Sequence, residues 1–149
     1  MGLSDEHLSA ALIKVYREAA ERKRGLPADN RDVPWHERYQ HKALDWLGVC
    51  SDLSARAFLL EVAADKSEKN RFRTAALLSY IRVASPDETK RALIRFLIED
   101  ERMDPGQRTA IYRGAQEVYA EASALKRRAI RSSFIVAAAH ETQSGFRAV

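Results

Sequence analysis

The sequence predicts an all-α fold of about seven helices, and three observations carry the prediction. Glycine and proline are scarce, 6 and 4 residues of 149, and few runs alternate with period two in the Val, Ile and Thr that strands favour. Helix-start signals recur instead: Ser4 before Asp5 and Glu6, then Asp52, Ser85-Pro86-Asp87-Glu88 and Asp104-Pro105-Gly106-Gln107. Each offers a side-chain oxygen to the free N–H groups of a first turn. The third observation is Arg71 to Ser85, RFRTAALLSYIRVAS, where Ala75, Ala76, Leu77, Leu78, Tyr80, Ile81, Val83 and Ala84 cover most of a helix circumference. A helix apolar on nearly every side must be covered on nearly every side, so this segment is expected at the centre. Thr74, Ser79 and Arg82 leave it only a narrow polar strip.

The first helix is expected from Ser4 to about Arg24, with Leu8, Ala11, Leu12, Val15, Tyr16 and Ala19 at helical spacing. Asp5 and Glu6 suit the positive end of its dipole, and Arg22, Lys23 and Arg24 the negative end before Gly25. Residues 25–34, with Pro27 and Pro34 among Asp, Asn and Gly, form the strongest loop signal. Helix two is placed at about 35–50 with Tyr39, Ala43, Trp46, Leu47 and Cys50 inward. Helix three is opened by Asp52 and Ser54, with Leu53, Ala57, Leu60 and Ala64 inward. The polar turn Asp65–Asn70 leads into the central helix. Helix five (about 86–101) packs through Leu93, Phe96 and Leu97, and helix six (about 105–122) through Ile111, Ala115, Val118 and Ala122. Helix seven (about 124–140) uses Ile130, Phe134, Ala137 and Ala138, and a mobile tail is expected after it.

Apolar residues at 46% and charged residues at 31% fill a core and still leave a soluble surface. The net charge of +4 is compatible with an acidic partner, but 25 cations are dispersed among 21 anions, with no basic tail of the kind that wraps nucleic acid. The lone cysteine, Cys50, forms no internal disulfide and reads as a small core residue. With no signal-peptide pattern and no apolar run long enough to span a bilayer, a cytoplasmic protein without a membrane partner is expected.

Self-comparison adds an internal repeat. Arg38-Tyr39 with Ala43-Leu44 matches Arg71-Phe72 with Ala76-Leu77 at an offset of 33 residues. Arg73-Thr74-Ala75 matches Arg108-Thr109-Ala110, and Arg56-Ala57 matches Arg91-Ala92, both at 35; Arg128-Ala129-Ile130 follows Arg91-Ala92-Leu93 at 37. Helix pairs repeated at such a period bury their apolar faces by stacking. On these residues the chain resembles the HEAT-like α-solenoid families over about 35–140. The resemblance implies a right-handed stack of antiparallel helix pairs, three with four and five with six. The whole of 1–149 is then one helical-repeat domain: a capping helix at 1–24, a loop at 25–34, stacked pairs at 35–140 and a tail at 141–149.

The candidate chemistry is sparse. His36 and His41 are five apart rather than four, which turns them away from a common metal; His7 and His140 stand alone. There is no phosphate-cradling glycine loop and no nucleophile turn, so neither a catalytic residue, a metal site nor a cofactor is expected. Glu99-Asp100-Glu101 reads as a solvated turn beside Arg102. Trp35 either anchors a partner or pins the proline-rich loop to the core, the second being expected. The repeated polar feature is arginine: Arg38, Arg71, Arg73 and Arg108 open second helices of pairs, and Lys126, Arg127, Arg128 and Arg131 add a basic group. Stacking would align them along one edge, to meet an acidic protein or phosphates; the competing reading is that they pair with Asp and Glu of neighbouring turns. The expected function is therefore non-catalytic binding of another protein through one face, as an adaptor or an inhibitor of the immunity-protein type. The alternative is nucleic-acid binding along the arginine edge.

Overall fold

Seven helices and no strand make up the described residues, which in the computed structural model are 4–100 and 103–147, with side chains described through Glu141. They are α1 (Asp5–Arg24), α2 (Val33–Leu47), α3 (Leu53–Ala64), α4 (Asn70–Val83), α5 (Pro86–Ile94, carried on by a π-helical turn, Arg95–Glu99), α6 (Pro105–Glu121) and α7 (Ala124–Arg147). The chain divides into two compact units, Met1–Val83 and Ala84–Val149, and each is described by itself.

In the first unit α1 packs on α2 and α3, α3 on α4, and α4 on α2. The expected centre holds: Phe72, Ala76, Leu77, Tyr80 and Ile81 of α4 are buried, and so are Thr74 and Ser79 of its polar strip, leaving Arg82 to reach water. Each such large side chain removed from water contributes about 1.5–3 kcal/mol. Helix α1 is the partner of α2, where the sequence suggested a cap on an array. Gly48 ends α2 against Ser79 of α4; a Cβ there would lie 3.0 Å from the serine side chain, so a larger residue would press on α4.

The inner faces of α1, α2 and α3 are turned from those expected. Ala11, Val15, Tyr39, Trp46, Leu53 and Ala57 face out. Inside lie Ser9, Tyr16 and Ala19, then Val33, Glu37, Gln40, Ala43, Leu44 and Leu47, then Ala55, Phe58, Leu59, Val62 and Ala63. The reason is a set of polar residues hydrogen-bonded between helices. Ser9, Tyr16 and Lys23, seven residues apart on one side of α1, donate respectively to Asp52 at the start of α3, to Glu68 before α4 (2.7 Å) and to Gln40 of α2 (3.0 Å). A buried polar group is tolerated when it is paired in this way.

In the second unit α7 packs on α5 and α6, so α5 finds its main partner in α7 rather than in the next helix along the chain. Leu93, Phe96, Leu97, Ile111, Ala115, Val118, Ile130 and Ala137 fill the core. The Ser85 hydroxyl accepts from the Glu88 N–H at 3.2 Å and the Glu88 carboxylate accepts from the Ser85 N–H at 3.2 Å, a complete capping box. Asp104 caps α6 through the Gln107 N–H at 2.7 Å. The π turn closes with the Asp100 N–H donating to the Arg95 carbonyl and leaves Phe96 and Leu97 both inward. Helix α7 continues to Arg147, beyond the expected end near 140. Glu101, Arg102 and the last two positions of the expected tail lie outside the described residues.

Candidate functional site

Two features of the first unit meet on α2. One is its outer face. Trp35, Tyr39, Lys42 and Trp46 fall at steps of four, three and four, which returns each to the same side of a helix. The three aromatic residues are 56%, 52% and 60% exposed, and about 16 Å of helix carries them at 1.5 Å per residue. Arg38 lays its guanidinium 4.8 Å over the Trp35 ring. Trp35 therefore stands at the surface under an arginine, and the expected insertion of its ring into the core is not found. The one acid on this side, Asp45, is held by His41 at 3.2 Å.

The other feature is a pocket of about 410 Å³ between α2 and the start of α4, lined by Pro34, Glu37, Arg38, His41, Arg71 and Phe72. Glu37 is buried and is clasped by the Lys69 ammonium, at 3.1 and 3.2 Å to its two oxygens, and by the Arg71 guanidinium. Arg71 also lies 4.9 Å over Phe72, and Lys23 reaches the same ring at 5.1 Å. Burial lowers the Lys23 pKa, the Glu68 carboxylate opposing that shift and the Lys69 and Arg71 charges adding to it. Burial likewise raises the pKa of Tyr16, whose hydrogen bond to Glu68 and the charge of that carboxylate push it further up.

The eight residues marked in the sequence separate into different roles. Trp35, Arg38 and Arg71 come together at the pocket and the aromatic face. Arg73 is buried, and its Nε donates to the Ala63 carbonyl at 2.9 Å, closing the C-terminal end of α3. In the second unit Arg108 pairs with Glu141 at 3.0 Å. Arg127 closes the end of α6 by donating to the Tyr119 and Ala120 carbonyls at 3.0 and 2.9 Å, and Arg131 donates to the Tyr119 hydroxyl at 3.0 Å. Lys126 is half-buried, and burial lowers its pKa against the opposing charge of Glu88. Arginine in these positions joins helices and covers helix ends.

The sequence marks neither Glu37 nor Lys69 at the pocket; it weighs His41 only as a metal ligand, and it places Tyr39 and Trp46 inward, where the structure sets them on the outer face. Glu37 carried a signal, since it shares a helical face with Val33, Gln40 and Leu44, where a solvated glutamate has no place. Cys50 is buried, its thiol donating to the Trp46 carbonyl at 3.6 Å. Among the described residues there is no cluster of three metal-ligating side chains, and no helix is long and apolar enough to cross a membrane. Compared with known proteins, the chain matches no family model, no curated protein and no solved structure.

Proposed function

We propose that this chain is a non-catalytic binding module that engages another protein through the outer face of α2. The observation that carries the reading is the exposure of Trp35, Tyr39 and Trp46 along one side of one helix. Tryptophan, tyrosine and arginine are the side chains that dominate binding energy at protein interfaces, and a soluble protein has no structural use for three aligned rings in water. Arg38 and Lys42 flank the rings while the nearby Asp45 is held by His41, so the complementary partner surface is acidic. The repeat reading belongs to the same proposal: α1 with α2 and α3 with α4 form two pairs, and α1 on α3 and α2 on α4 is the contact pattern that stacked pairs produce. A reducing compartment such as the cytoplasm suits the buried free thiol of Cys50. Nucleic-acid binding along an arginine edge is the weaker reading, because Arg71, Arg73 and Arg108 already have internal partners.

The test places a photo-cross-linking amino acid at Lys42, in the middle of the face, and separately at exposed Arg113 on α6, in cells of the source organism. The expected result is a discrete adduct at position 42 that protease removes and nuclease does not. Tyr39→Ala or Trp46→Ala should abolish it with an unchanged melting temperature, each truncation costing about 2 kcal/mol of binding, some thirtyfold in Kd. Equal labelling at both positions, or an adduct that nuclease removes, refutes the proposal.

A further inference from the structure

The pocket beside that face has a composition of its own. Pro34 is its apolar residue at the surface, Phe72 lies fully buried behind Arg71, and Glu37, Arg38, His41 and Arg71 are its polar lining. Glu37 is one negative charge held by two positive ones, Lys69 and Arg71. His41 and Asp45 hold each other. Arg38 stacks on Trp35 and has no carboxylate partner among the described residues. The walls thus carry surplus positive charge, and two guanidinium groups open onto one space beside Pro34. Glu37 and Phe72 also fix the Arg71 side chain before anything binds, which reduces the entropy lost on binding.

We infer that this pocket is a binding site for a carboxylate carried on a small apolar body. Arg38 and Arg71 receive the carboxylate, for which the guanidinium fork is matched in shape and charge. The body lies against exposed Pro34, and 410 Å³ falls within the range of small-ligand sites. The site is independent of whether α2 docks a protein. The same headgroup chemistry reaches it from two sources, a free apolar acid or a polypeptide C-terminus ending in an apolar residue.

The experiment is a ligand-observed NMR titration of the full chain with phenylacetate, with 2-phenylethanol as comparison. Phenylacetate is expected to bind saturably with a Kd on the order of 1 mM or tighter, and the alcohol not to bind. Arg38→Gln should weaken phenylacetate about tenfold or more; it is preferred to Arg71→Gln because it strands no buried carboxylate. With Trp46→Phe as background, Trp35 is the sole tryptophan, and its emission should follow the same titration curve. A peptide ending in Phe with a free carboxylate separates the sources. Tighter binding than phenylacetate assigns the site to a chain terminus, and exclusion while phenylacetate binds assigns it to a free acid. No saturable binding, equal binding of the alcohol, or indifference to Arg38→Gln overturns the inference.

Discussion

Replacing Tyr16 by Phe tests the polar seam along α1, and the signature is a change of sign with pH. The phenol is buried and donates to Glu68 at 2.7 Å. A hydrogen bond to a charged group contributes about 1.5–3 kcal/mol. Glu68 is only half-buried and regains water in the variant, so Tyr16→Phe should cost about 1–2 kcal/mol at neutral pH. The folded state holds the Tyr16 pKa above its ordinary value of 10.0 through burial and the Glu68 carboxylate. For a group whose folded pKa is raised, the stabilisation is complete below the unfolded pKa. It is lost as pH climbs towards the folded one, at about 1.36 kcal/mol per pH unit. The wild-type advantage should therefore close at about pH 11 and reverse beyond it. Lysine deprotonation and the raised Tyr112 are common to both proteins and cancel in the difference. Urea titrations followed by far-ultraviolet circular dichroism at a series of alkaline pH values measure it. A wild-type-minus-variant difference that stays flat from neutral pH to above pH 11 would refute the seam as described.

Three further substitutions address other joints. Arg73→Ala removes the buried donor to Ala63 and should cost about 2–4 kcal/mol, read as a lower urea midpoint; a loss within 0.5 kcal/mol, the range of an ordinary surface change, counts against the closure of α3. Ser85→Ala breaks the capping box of α5 and should cost about 1 kcal/mol, with faster amide exchange at the first turn; exchange unchanged at Glu88 contradicts it. Gly48→Ala sets a Cβ against Ser79 and should cost about 1–3 kcal/mol. In a double-mutant cycle with Ser79→Gly part of that cost should disappear, and strict additivity argues against the close approach.

The sequence carries some helix ends to the residue and several helix faces wrongly, for one physical reason. Caps are local: Ser4, Asp52, Ser85 and Asp104 each bond an N–H three residues on, so neighbouring residues suffice to find them. Where core residues are simply aliphatic, as in α4 and α5, the face is legible too, and Leu77, Ile81, Leu93 and Leu97 lie where periodicity puts them. In α1 and α2 the inward positions include Ser9, Tyr16, Glu37 and Gln40, whose partners Asp52, Glu68, Lys69 and Lys23 are distant in sequence. A periodicity that counts only apolar residues turns each helix until Val15, Tyr39 and Trp46 point inward. The seven-residue spacing of Ser9, Tyr16 and Lys23 was visible, but nothing local distinguishes a polar residue awaiting a partner from one facing water.

That displacement also makes the surface. A helix has one face to bury, and on α2 it is taken by Val33, Glu37, Gln40, Leu44 and Leu47. Glu37 could be replaced there by an aliphatic residue at little thermodynamic cost, since buried ion pairs commonly contribute less than a well-packed apolar group. Keeping it, clasped by Lys69 and Arg71, has two consequences on the same helix: the guanidinium of Arg71 is set at the pocket rim, and the aromatic residues, excluded from the inner face, remain outside. The buried glutamate and the exposed tryptophans are thus one arrangement, so Glu37→Leu should leave the helix in place. Cross-linking at position 42 should persist, and its loss would mean that the aromatic face depends on the buried ion pair.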